Sequence, residues 1–307
     1  MSGTPVRYYV YLTVTMILWG CSWVAKDIAV EVAPPFSIGF LRMSVASALF
    51  LAYMSATGSM PHDRYKRSDL RILAVMAAVG VLGFEIAELV GVRLSTAAQG
   101  AILDGSIPFM MSLTAYVMLR ERLDHAWKYA GFVIAFIGVI FVIGVQSLLD
   151  FNLDYFVGNL ILLLGTVLWA VYSTLGKVAM KRMPPLEMTA GGIVIGTLML
   201  SVGAMAESFW ALPGLMDPIL WLAVLYLGGV SAFACFLLYF KSIDKVGPTR
   251  AGIFVSITPV SGTLVSALIQ QEPIYWTFFV GLMLVVIGVT VVNFPRRAEQ
   301  EKPASHL

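Results

Sequence analysis

Ten apolar runs, each closed by a short polar or proline-containing break, divide the sequence at 8–28, 35–56, 69–90, 96–118, 126–145, 157–178, 186–207, 219–241, 248–271 and 275–294. Each is roughly 20 residues long, the length a helix rising ~1.5 Å per residue needs to cross ~30 Å of hydrocarbon. A helix bonds every backbone group within its own segment, as lipid demands. The pattern therefore predicts an all-α membrane protein with ten transmembrane helices. The breaks, among them Pro34-Pro35, Arg120 to His125, Pro184-Pro185 and Asp217-Pro218, leave no room for a folded domain between spans. The polar tail, 295–307, reads as a disordered cytoplasmic extension.

Composition agrees with this pattern. Of 307 residues, 59% are hydrophobic and 12% charged, where a soluble domain carries roughly 25% charged residues. Mean hydropathy is +0.86. Leu18-Trp19-Gly20-Cys21 loosely matches a lipoprotein cleavage box. Tryptophan fits poorly before the glycine, however, and the run is longer than a signal core, so it reads as the first span. Cys21 and Cys235 both sit in apolar runs, as small buried side chains and not as a disulfide framework. Of the 20 lysines and arginines, all but Lys26, Arg42 and Arg93 fall on one face if the spans alternate. The positive-inside rule then predicts that both termini are cytoplasmic.

The two halves repeat. An offset of 150 carries Trp19 onto Trp169, Pro34-Pro35 onto Pro184-Pro185, Gly131 onto Gly281 and Gly138 onto Gly288. An offset of 151 carries Pro108 onto Pro259 and Glu121 onto Glu272. Agreement at so many special residues indicates an internal duplication, with one five-helix unit at 8–145 and another at 157–294. Five is odd, so the second unit is expected upside down, and such inverted repeats place substrate sites between the halves near the midplane.

With these marks the chain resembles the drug/metabolite transporter superfamily, in its ten-helix, two-repeat EamA branch. The residues that carry the likeness are Trp19-Gly20 and Trp169-Ala170, the Pro108…Glu121 and Pro259…Glu272 pairs, and the glycine-spaced fifth spans. It covers residues 8–294. Within the branch the chain looks most like bacterial amino-acid exporters, especially those for aromatic amino acids. The resemblance implies a central cavity lined by spans 1–4 and 6–9, with spans 5 and 10 peripheral.

Several residues stand out by their chemistry. Ionisable groups inside spans cost on the order of 2.5–3.5 kcal/mol each, so they mark pathways or pairs. Arg42 in span 2 and Asp104 in span 4 lie at similar depth from the predicted outer face, with Glu85 and Glu88 three apart on one face of span 3. Lys26 lies at the outer end of span 1. Arginine can grip a carboxylate and carboxylates an ammonium, so the cluster could hold a zwitterion. Equally, Arg42 and Asp104 could simply pair with each other, and Glu85 and Glu88 could face water at the rim. Gln99 joins this expected pathway. Trp19 and Trp169 fall near the midplane, away from the interfacial belt. With Tyr172, Phe236 and Tyr239 they could wall an aromatic substrate's path, or merely pack helices. Pro108 and Pro259 each free a carbonyl four residues back, as plain kinks or as hinges between rocking halves.

Enzymatic readings have little support. His62, His125 and His306 lie in breaks or the tail, with no zinc spacing, phosphate loop or serine–histidine arrangement within the spans. No cofactor, metal or nucleic-acid partner is expected; small-molecule substrate and lipid bilayer are the expected partners, with protons as a further partner if transport is coupled and none if it is facilitated diffusion. The expected function is a secondary transporter exporting amino acids, aromatic ones first, by alternating access. The alternative is export of drugs, nucleobases or other metabolites on the same fold.

Overall fold

The computed structural model describes residues 6–60, 65–119, 153–246, 257–271 and 276–293, with scattered positions in 130–141 and at 254–255. All regular structure among them is helical. The main helices are α1 (Val6–Val32), α2 (Pro35–Ala56), α3 (Arg67–Leu94), α4 (Ala97–Asp104), α5 (Ile107–Leu119), α6 (Leu153–Ala179) and α7 (Pro185–Ala206). α8 runs through Pro218–Leu225, Tyr226–Ala234 and Cys235–Val246, followed by α9 (Ile257–Ile269) and α10 (Trp276–Asn293). Six of these are long and apolar enough to cross a membrane, in α1, α2, α3, α6, α7 and α8. The predicted fifth span, Glu121, Glu272 and the tail lie largely or wholly outside the described residues.

The outer surface is apolar. Leu198, Val202, Leu222 and Leu264 are all exposed. Water would leave such faces uncovered, whereas lipid matches them.

Three helices depart from the sequence pattern. α1 extends to Val32, so Lys26 is not at the end of its span but inside it, and buried. The predicted fourth span is split into α4 and α5. Gly105 and Ser106 bond back to the carbonyls of Ile102 and Leu103 at 2.9 Å, ending α4 at Asp104. Pro108 then falls in the first turn of α5, where a missing N–H costs nothing. It starts a helix and does not kink one. Pro259 is buried on α9, and Phe254 and Val255 ahead of it are helical as well. Finally, α3 and α8 each contain a π-helical stretch, Ala77–Gly83 and Tyr226–Ala234, at corresponding places in the two halves.

Helix pairing respects the repeat. α1 packs on α9 as α6 packs on α5, and α1 on α8 as α6 on α3. α2 packs on α8 as α7 on α3, while α2 meets α7 and α4 meets α9. Carrying each helix onto its counterpart in the other half maps this set of contacts onto itself. Small residues set the closest crossings. A Cβ on Gly20 would collide with Ser261 and the backbone of Gly262, so α1 and α9 touch backbone to backbone. α2 and α7 are joined by a carboxylate. Glu207 accepts hydrogen bonds from Phe36 N (3.2 Å), Ser37 N (2.7 Å) and Ser37 Oγ (2.7 Å). A negative group at a helix N-terminus satisfies orphan donors and faces the positive end of the helix dipole.

Candidate functional site

Residues of α1 to α9 line an internal cavity of about 80 Å³, narrow beside the ~300–1,000 Å³ of small-ligand sites. Its walls divide into a charged part and an aromatic part.

The charged part holds two cations and three carboxylates. Arg42 on α2 pairs with Glu85 on α3, Nη1 to Oε1 at 2.7 Å. Lys26 on α1 pairs with Glu88 on α3, Nζ to Oε1 at 2.7 Å. All four side chains are at most 5% exposed. Glu85 and Glu88 therefore do not face water at a rim; they are the buried counter-ions of the two cations. Arg42 does not pair with Asp104, because the one-turn spacing on α3 offers each cation a carboxylate of its own. Asp104, the last residue of α4, instead accepts a hydrogen bond on Oδ2 from the Trp23 indole at 2.9 Å. Lys26 Nζ lies 4.1 Å from the Trp23 ring centroid, a cation–π contact that ties these groups together. Among the described residues no cation lies within ion-pair distance of Asp104. The Nε of Arg42, on the cavity wall, is buried without a hydrogen-bond partner.

The aromatic part lies one to two turns along the bundle axis. Trp19 meets Trp169 edge to face at 6.0 Å, Phe236 at 5.6 Å and Tyr239 at 5.1 Å. Trp169 also touches Tyr172 (5.5 Å), Phe236 (5.9 Å) and Phe84 (4.8 Å). The two repeat-related tryptophans thus meet at the interface between halves. They are not equivalent. The Trp19 indole donates to the Ser231 carbonyl at 3.0 Å, a carbonyl in the π-helical stretch of α8, where the α-helical bonding pattern is interrupted. Beyond this girdle lies a second, more open cavity of about 280 Å³, lined by Phe50, Tyr53, Pro184, Pro185, Leu186, Thr189, Phe236, Leu237 and Lys241. Phe236 lines both cavities.

Of the residues singled out in the sequence, Trp19, Arg42, Glu85, Glu88, Asp104, Trp169, Tyr172, Phe236 and Tyr239 all line the first cavity. Gln99 is not on that wall. It is buried in the first turn of α4, and neither polar atom of its side-chain amide has a partner among the described residues. Thr258, next to Pro259, reaches the cavity. Sequence reasoning missed Trp23. Its signal was available, since Trp19, Trp23 and Lys26 recur at the four- and three-residue spacing of one helix face. No group of His, Cys, Asp and Glu among the described residues is placed to hold a metal ion, so the carboxylates' partners are the cations and the indole.

An all-helical, multi-pass membrane protein with a polar cavity between two related halves has the form of a small-molecule transporter. The EamA-like transporter family model matches residues 6–144 and again 156–294. The chain belongs to that family. Similar proteins include the uncharacterized transporter YetK of Bacillus subtilis (strain 168), at 26% identity over 304 residues, covering 97% of this chain and 90% of its own. An uncharacterized transporter of Archaeoglobus fulgidus is 26% identical over 287 residues, covering 94% of this chain and 99% of its own. A protein solved by crystallography shares the fold with TM-score 0.63 at 21% identity, covering 93% of this chain and 97% of that one.

Proposed function

We propose that this transporter is a secondary exporter of small organic metabolites, amino acids with aromatic side chains first among them. It resides in the bacterial inner membrane with both termini cytoplasmic, and its two five-helix units, 8–145 and 157–294, are inverted relative to each other. Transport proceeds by alternating access, the halves rocking about the girdle where Trp19 meets Trp169.

One observation carries the reading: charged groups and aromatic walls line one cavity inside the bundle. The aromatic walls suit a flat apolar side chain. The unpartnered Nε of Arg42 offers a donor to a carboxylate without breaking the Glu85 pair. The second cavity continues the path toward the Pro184-Pro185 end of the bundle, which the positive-inside rule assigns to the cytoplasm.

The test is efflux from proteoliposomes preloaded with amino acids, nucleosides and a cationic dye. Selective efflux of phenylalanine, tyrosine or tryptophan is expected. Efflux of the dye or nucleosides alone would refute the substrate assignment, and no flux of anything would refute transport by this cavity.

A further inference from the structure

The cavity's charges do not balance. Arg42 and Lys26 are each matched by a glutamate at 2.7 Å, and Asp104 is left over. One of its oxygens takes the Trp23 indole proton. The other, Oδ1, accepts no hydrogen bond among the described residues, although a buried carboxylate normally fills several acceptor positions. Asp104 keeps part of its surface exposed deep within the bundle, and that surface faces the cavity it lines.

We propose that Asp104 is a single acceptor site that a proton and the ammonium group of the substrate occupy in turn. The inference rests on the exporter reading above and names the coupling within it. A carboxylate without a counter-ion in a low-dielectric site demands one unit of positive charge. The proton supplies it when the cavity is empty, and an ammonium bearing an apolar body supplies it when the cavity is loaded. Binding the substrate then releases the proton, and exchange of the two is obligatory because they share one oxygen pair. No covalent bond other than O–H is made or broken.

The surroundings favour Asp104 over the other carboxylates for this part. From α1 it faces Lys26, already paired, and Trp23, a neutral donor. From α3 it faces Glu88, whose charge Lys26 matches, with Glu85 and its partner Arg42 a turn further. Tyr172 of α6 and Tyr239 of α8 line the same cavity. α9 contributes Thr258 and no charge to the wall among the described residues. Asp27 of α1 takes no part, because it bonds Gln270 beyond the end of α9. Gly100 holds the geometry, since a Cβ there would run into the Trp23 ring that donates to Asp104.

The test uses purified full-length protein in detergent at weak buffering, with phenethylamine as the probe: one ammonium on an aromatic body. Wild type is expected to release protons on addition of the amine, with an apparent affinity that weakens as pH falls. Asp104→Asn should lose both the release and the pH dependence while eluting as folded protein. If that variant does not fold, Asp104→Glu, which keeps a carboxylate on a longer arm, should retain the release with a shifted pH midpoint. Proton release that survives in Asp104→Asn, loss of release in a folded Asp104→Glu, or absence of release in wild type would each overturn the proposal. Efflux of other metabolites from proteoliposomes would still leave the exporter reading standing in that last case.

Discussion

Separating Arg42 from Glu85 is the most direct probe of how the cavity is held. The pair is at 2.7 Å with side chains 5% and 1% exposed. With an effective dielectric constant of about 20, the attraction at that distance is about 6 kcal/mol. Desolvation offsets much of it, so the measurable quantity is the cost of stranding one partner, about 3–5 kcal/mol. For a chain of this size, a loss of 1 kcal/mol lowers Tm by about 2 °C. Arg42→Gln and Glu85→Gln should therefore each lower the melting temperature in detergent by about 6–10 °C. The double variant leaves two amides that can bond each other, with no stranded charge, and should recover most of the loss. The double-mutant cycle reads this coupling directly. If the double variant melts as low as the sum of the two single losses, the two side chains are independent and the assignment of each cation to one glutamate is wrong.

Further outcomes follow from particular contacts. Glu207→Ala removes the acceptor of three hydrogen bonds at the start of α2 and should cost about 0.5–2 kcal/mol of stability, readable as a lower melting temperature; no change would mean the N-terminus of α2 is capped otherwise. Gly20→Leu forces a side chain into the backbone of α9 and should abolish recovery of folded protein, judged by size-exclusion chromatography. Trp19→Phe removes the donor to the Ser231 carbonyl and should cost about 1 kcal/mol while Trp169→Phe costs less, a difference that thermal unfolding measures. Phe236→Ala opens the wall shared by the two cavities and should raise uncoupled leak in proteoliposomes; unchanged tightness would place the barrier elsewhere.

Much of this was legible in the sequence, for identifiable reasons. Span length and apolarity are imposed by the bilayer, so α1, α2, α6 and α7 could be drawn from run lengths to within a few residues. The tryptophan-plus-small-residue motif was readable because a glycine at Gly20 is a packing requirement and Trp19 marks the interface it creates. Which carboxylate serves which cation was not readable. Arg42 and Asp104 match in depth, but partners are chosen by rotation about the helix axes, and rotation depends on contacts between helices far apart in sequence. The break at Gly105 was hidden for a related reason: proline at 108 fits equally a kink within one helix and the first turn of another. The π-helical stretches leave no compositional trace, and Lys26 was misplaced because the end of α1 is set by packing beyond the apolar run.

Those π-helical stretches in α3 and α8 give the bundle something a set of plain α-helices lacks. A π turn accommodates one residue more than an α turn, so each stretch is a surplus residue held in place by its neighbours. Return either stretch to α geometry and every residue beyond it turns by about 100° around the axis. On α8 the residues beyond are Phe236 and Tyr239; on α3 they are Glu85 and Glu88. The same surplus, present at matching places in both halves, therefore sets the dial position of the aromatic girdle from one side and of the carboxylate pair from the other. A one-residue deletion inside either stretch would remove the surplus and leave those side chains facing as they do, whereas the same deletion in the α-helical turn just before them would point the wrong side chains into the path.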